Sequence, residues 1–124
     1  MAEKRKHISK QLREVIFDKY GGRCAYCGEK FRSIHDMQVE HFEPFSLGGA
    51  DETENYMPAC RKCNYYKSTL PLETFRDYIE TIPEKLFQRN FIFKLGIKYG
   101  FFSPNRRNVE FYFEKEAERN GENG

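Results

Sequence analysis

Apolar residues recur at helical spacing along "SKQLREVIFDKY", residues 9–20, where Leu12, Val15, Ile16 and Tyr20 share one face. Ser9 is placed to cap that helix and Gly21-Gly22 to end it. The period then shortens. "MQVEHF", residues 37–42, alternates apolar and polar positions as a short strand does. "EPFSLGGADETE", with Pro44, Gly48 and Gly49 among acidic residues, reads as a long surface loop. "NYMPA" returns as a second strand, and Cys60 opens a helix that runs to about Thr69, with Pro71 just past its end. Leu72, Phe75, Tyr78, Ile79 and Ile82 are again spaced helically. "EKLFQRNFIFKLGIKYGFF" continues as another helix interrupted near Gly96, and "NVEFYFEK" reads as a strand. The expectation for this aromatic C-terminal third is packing against the small central unit. The class is α+β, with N- and C-terminal helices flanking a strand–loop–strand–helix core.

A chain of 124 residues fits one domain. Its parts are a basic N-terminal segment and helix over 1–23, the core over 24–70, a C-terminal extension over 71–117 and a disordered end over 118–124. No run of about twenty apolar residues occurs, so the chain is not expected to span a membrane. "MAEKRKHISK" has a signal peptide's basic start with no apolar stretch behind it, so the expected location is the cytoplasm. The net charge of +2 does not announce nucleic acid, although the first residues are mostly basic and the tail mostly acidic.

The four cysteines form two C-x-x-C pairs, Cys24/Cys27 and Cys60/Cys63. Disulfides need an oxidising compartment that nothing here supports. A redox C-x-x-C would be single and lie near a βαβ pattern. Two such pairs suit a tetrahedral Zn²⁺ ion, and Gly28 frees the chain to fold round the second sulfur. The 32 positions between Cys27 and Cys60 exceed the spacing of a plain zinc ribbon, so something is built between the two clips.

That insertion carries Glu40 and His41 at the end of the first strand, Asn55 at the start of the second, and Asn64 and Lys67 on the helix. Each alone has an ordinary structural explanation. Together, "VEHFEPFSLGG", "ENYMPAC" and "CRKCNYYK" resemble the HNH endonucleases of the subgroup with a cysteine zinc site. The resemblance runs from Cys24 through Lys67. It implies a ββα-metal fold and metal-dependent cleavage of nucleic-acid phosphodiesters, giving 5′-phosphate and 3′-hydroxyl ends. His41 is the candidate base in this segment, because imidazole titrates near neutral pH. By the resemblance it takes the proton from the attacking water. Glu40 and Asn64 offer hard oxygen ligands suited to Mg²⁺ or Mn²⁺. Asn55 matches the family's positioning asparagine, expected to bond the loop backbone near His41. Lys67 is expected to contact phosphate, with Arg61 and Lys62 adding to the positive field. Glu40 departs from the aspartate or histidine of many relatives. His7 and His35 match no family position.

One geometric tension accompanies this reading. Adjacent residues of a strand point to opposite faces, so Glu40 and His41 cannot both reach one point from a regular strand. Either the chain leaves extended geometry there, or the two residues flank the phosphate. DNA is the expected substrate of a monomer or homodimer. The same residues also admit an RNA-cleaving nuclease, or a zinc-ribbon module that binds without chemistry.

Overall fold

The computed structural model of the chain describes residues 8–44, 47–50 and 52–121. The basic end with His7, loop residues Phe45, Ser46 and Asp51, and positions 122–124 lie outside the described residues. Helix α1 spans Lys10–Asp18, capped by Ser9, whose hydroxyl accepts from the Leu12 N–H at 3.1 Å. Its apolar stripe is narrower than the spacing predicts: Ile16 is fully buried, whereas Val15 is exposed.

Strands β1 (Gln38–His41) and β2 (Tyr56–Ala59) pair antiparallel, with Glu40 opposite Met57 and His41 opposite Tyr56. Every residue of β2 is buried. The connecting loop is shaped at Gly49, where a Cβ would lie 1.9 Å from the Glu43 carbonyl oxygen, so only glycine allows the chain to close there. Helix α2 (Arg61–Lys67) follows β2 directly, with Cys60 as its N-cap. The first cysteine pair joins this hairpin through the Ala25 N–H, which donates to the Pro58 carbonyl at 2.8 Å. Gly28 turns the chain after Cys27 at φ +79°, where a side chain would also press on the Tyr112 ring. The result is a two-stranded sheet with helices, an α+β fold.

The remaining helices are α3 (Leu72–Glu80), α4 (Ile82–Arg89), α5 (Phe91–Lys98) and α6 (Tyr112–Arg119). Three expectations are corrected here. The break in the aromatic helical stretch falls at Asn90, not Gly96, because the Asn90 side chain caps α5 by accepting from the Phe93 N–H at 2.9 Å. The segment expected as a strand is helical from Tyr112: the Glu114 carboxylate accepts from the Phe111 N–H at 2.8 Å and closes the first turn. The β-branched and aromatic residues of "VEFYF" imitated a strand. Residues 118 and 119 belong to α6, so the expected disordered end does not begin at 118.

Two compact units divide the chain: Met1–Leu72 with Glu110–Gly124, and Glu73–Val109. Within the second, Glu80 accepts from the Val109 N–H at 2.9 Å, and Arg76 donates to the Val109 carbonyl at 2.6 Å. Phe75 is its one buried residue, while Phe91, Ile92, Tyr99 and Phe101 are at least 69% exposed. The apolar spacing of this stretch builds helices, but most of its aromatic surface is not buried.

Candidate metal centre and nuclease site

The four cysteine sulfurs lie within 4.8 Å of one another. Cys27 Sγ and Cys60 Sγ are 3.8 Å apart, too far for a disulfide, and all four are free thiols. A tetrahedral ion with Zn–S bonds of about 2.3 Å places its sulfurs about 3.8 Å apart. The thiols also perturb one another. Hydrogen bonds from Cys27 and Cys63 push the Cys24 thiol down to about 2. The hydrogen bond to Cys24 pushes Cys27 up to about 12 and raises Cys63. Four sulfurs this close cannot all ionise unless a cation sits among them, so the donor set fits a thiophilic metal. Four thiolates would fill its coordination and leave no position for a substrate.

Glu40 is 4% exposed and Lys67 is fully buried. Lys67 Nζ donates to Glu40 Oε1 at 2.6 Å, to the Phe42 carbonyl at 3.2 Å and to the His41 carbonyl at 3.4 Å. The Tyr26 hydroxyl donates to Glu40 Oε2 at 2.5 Å. Burial pushes the Glu40 carboxyl above the ordinary carboxylate range, while hydrogen bonds from Lys67 and Tyr26 pull the other way. Burial, reinforced by the Glu40 charge, raises the Tyr26 phenol strongly. The expected phosphate contact of Lys67 is therefore corrected. Its ammonium is consumed inside the protein, because the i to i+3 step from Asn64 carries it under the end of β1.

β1 stays a regular strand through His41, so alternation decides where the two neighbours point. Glu40 is buried, whereas His41 is half-buried on the other face, its ring edge-on to Tyr56 at 5.2 Å. Asn64 is also half-buried, and among the described residues its carboxamide has no hydrogen-bond partner. Asn64 fits a hard divalent cation. Glu40 fits in chemistry, but as placed both its oxygens are first engaged by protein donors.

Asn55 serves the loop that follows β1. Its Oδ1 accepts from the Glu43 N–H at 2.8 Å, and its Nδ2 donates to the carbonyls of Glu43 at 2.9 Å and Ala50 at 2.7 Å. Its own carbonyl accepts from the Phe42 N–H at 2.7 Å. The residue after His41 is thus pinned from β2.

Arg61 and Lys62 are exposed, and with Lys30, Arg32 and His35 they line a groove of about 520 Å³ that also contains Glu29 and Asp36. Among the described residues Lys30, Arg32, Arg61 and Lys62 take part in no ion pair. Sequence reasoning missed Lys30 and Arg32, which only folding brings beside the start of α2. It also missed Tyr26, whose position inside the first C-x-x-C carries no signal of a partner 14 residues away.

A crystal structure of the Type II-C Cas9 enzyme from Actinomyces naeslundii is similar at a TM-score of 0.51 and 26% identity, over 61% of this chain. This chain spans 8% of that protein's length. No curated protein matches. Residues 24–69, from the first cysteine of the clamp to just past α2, match the family described as HNH endonuclease.

Proposed function

We propose that this chain is a metal-dependent endonuclease that hydrolyses DNA phosphodiester bonds. The observation that carries the reading is the coincidence of the HNH endonuclease match at 24–69 with a four-thiol cluster that brackets the β1–β2 hairpin and includes the first turn of α2. Zinc at the thiols is structural: it ties the Cys24–Cys27 turn to the first turn of α2, from which Asn64 projects. His41, half-buried beside Tyr56, takes the proton of the attacking water. Asn55 holds the loop behind it. The Asn64 amide oxygen offers a hard donor for Mg²⁺ or Mn²⁺, which would take its other ligands from water and substrate phosphate, while Glu40 stays engaged by Lys67 and Tyr26. A divalent cation bound there supplies Lewis-acid stabilisation to the departing 3′-oxygen. Arg61 and Lys62, with Lys30 and Arg32, hold the phosphate backbone by charge.

The test is nicking of supercoiled plasmid by the zinc-loaded chain with Mg²⁺, Mn²⁺ or EDTA, beside His41→Ala. The expected result is divalent-dependent nicking that drops by about 10²-fold or more in the variant. Equal rates in both proteins would remove His41 from the chemistry. No cleavage of plasmid, single-stranded DNA or RNA would make the chain a zinc-held binding module.

A further inference from the structure

Tyr26 sits between the two cysteines of the first pair, yet it points into the protein and is 3% exposed. Its backbone and ring are held from one side. The Tyr112 N–H donates to its carbonyl at 3.0 Å, and Phe111 and Phe113 meet its ring edge-on at 5.5 and 6.0 Å. Its hydroxyl holds Glu40 Oε2, whose other oxygen takes Lys67, which in turn reaches the carbonyls of His41 and Phe42. The links are continuous and nearly sealed from water: 3% exposure at Tyr26, 4% at Glu40 and none at Lys67. A hydroxyl, a carboxylate and an ammonium buried together satisfy one another's hydrogen bonds, and no single one can be removed without orphaning the next.

We infer that Tyr26, with Glu40 and Lys67, forms a buried positioning unit through which the first cysteine pair sets the main chain of His41. The unit has fixed ends. At one end Tyr26 is bound into the metal turn through its neighbours Cys24 and Cys27. At the other, the Lys67 ammonium grips two consecutive carbonyls at the point where β1 ends. The base therefore inherits the rigidity of the clamp through side chains as well as through α2. Tyr26 touches no substrate in this account: it acts through Glu40. The kinetic part rests on the nuclease reading, whereas the structural part does not.

The experiment compares zinc-loaded wild type with Tyr26→Phe, which removes one oxygen and keeps the ring between Phe111 and Phe113. Zinc stoichiometry should remain one per chain, and kcat for plasmid nicking should fall about tenfold with KM for DNA within about twofold. In ¹⁵N-resolved hydrogen exchange, the amides of His41 and Phe42 should lose protection by about tenfold relative to those of α1. An unchanged kcat together with unchanged exchange at those two amides would overturn the unit. If wild type cleaves nothing, the exchange measurement alone decides, so a failed nuclease reading is distinguishable from a failed positioning unit. Should Tyr26→Phe not fold, the pairing is read from denaturant unfolding of Glu40→Gln, Lys67→Met and their double variant. Non-additive effects support the unit, and strictly additive ones refute it.

Discussion

The two compact units are built on opposite terms. Met1–Leu72 with Glu110–Gly124 contains short elements, including two four-residue strands, yet it buries a carboxylate, an ammonium and a phenol together and gathers four thiols within 4.8 Å. Glu73–Val109 has the longer run of helices and the denser aromatics for its length, yet it buries Phe75 alone and leaves Phe101 80% exposed. Apolar content therefore does not rank the two. A small unit can hold costly polar groups inside when complete hydrogen bonding constrains it. Apolar side chains along a helix leave their surface uncovered when no second layer faces them.

That contrast can be broken or sharpened by measurement. The largest effect should come from stripping zinc with a chelator or from Cys60→Ser. The apparent binding energy of a structural zinc, about 10–16 kcal/mol, rivals the whole stability of a domain at about 5–15 kcal/mol. Exchange protection should vanish across β1, β2 and α2, and its survival there would show that the thiols are not what holds the unit. Next, Lys67→Met alone should cost about 3–5 kcal/mol in denaturant unfolding, because it leaves the Glu40 charge buried without a counterion. Replacing both, Glu40→Leu with Lys67→Met, should recover most of that loss. A double variant as unstable as the worse single would contradict the pairing. In the second unit Phe75→Ala should cost about 3–5 kcal/mol, in line with a fully buried ring. Asn55→Ala should cost about 1–3 kcal/mol by freeing the loop groups at Glu43 and Ala50, and should raise backbone mobility after His41. The smallest effect belongs to Phe101→Ser, within about 0.5 kcal/mol and with improved solubility. A loss as large as that of Phe75→Ala would mean the exposed face is covered in solution.

Much of this was legible beforehand. Ser9 and Gly21-Gly22 mark the ends of α1 because caps act over three or four residues. The paired cysteines point to one four-thiol cluster because two residues between thiols already set their reach, and the fold gathers all four within 4.8 Å. Asn55 matched the family's loop-bonding position, and its amide does bond the loop backbone at Glu43 and Ala50. The β-branched and aromatic residues of "NVEFYF" suit a strand, and the Glu114–Phe111 contact closes a helical turn there instead.

The amino-acid order by itself determined α1, the β1–β2–α2 order, the two C-x-x-C pairs and the chemical kinds of donor at positions 40, 41 and 64, since these are read within a few residues, whereas the fold brought the two pairs together across 33 positions. Tertiary structure alone decided where those donors point. It turned Glu40 inward to Tyr26 and Lys67, left His41 on the opposite face, and gathered Lys30 and Arg32 beside Arg61. Local pattern fixes periodicity, but which face is buried depends on what packs against it, and here those partners lie 14 and 27 residues away along the chain.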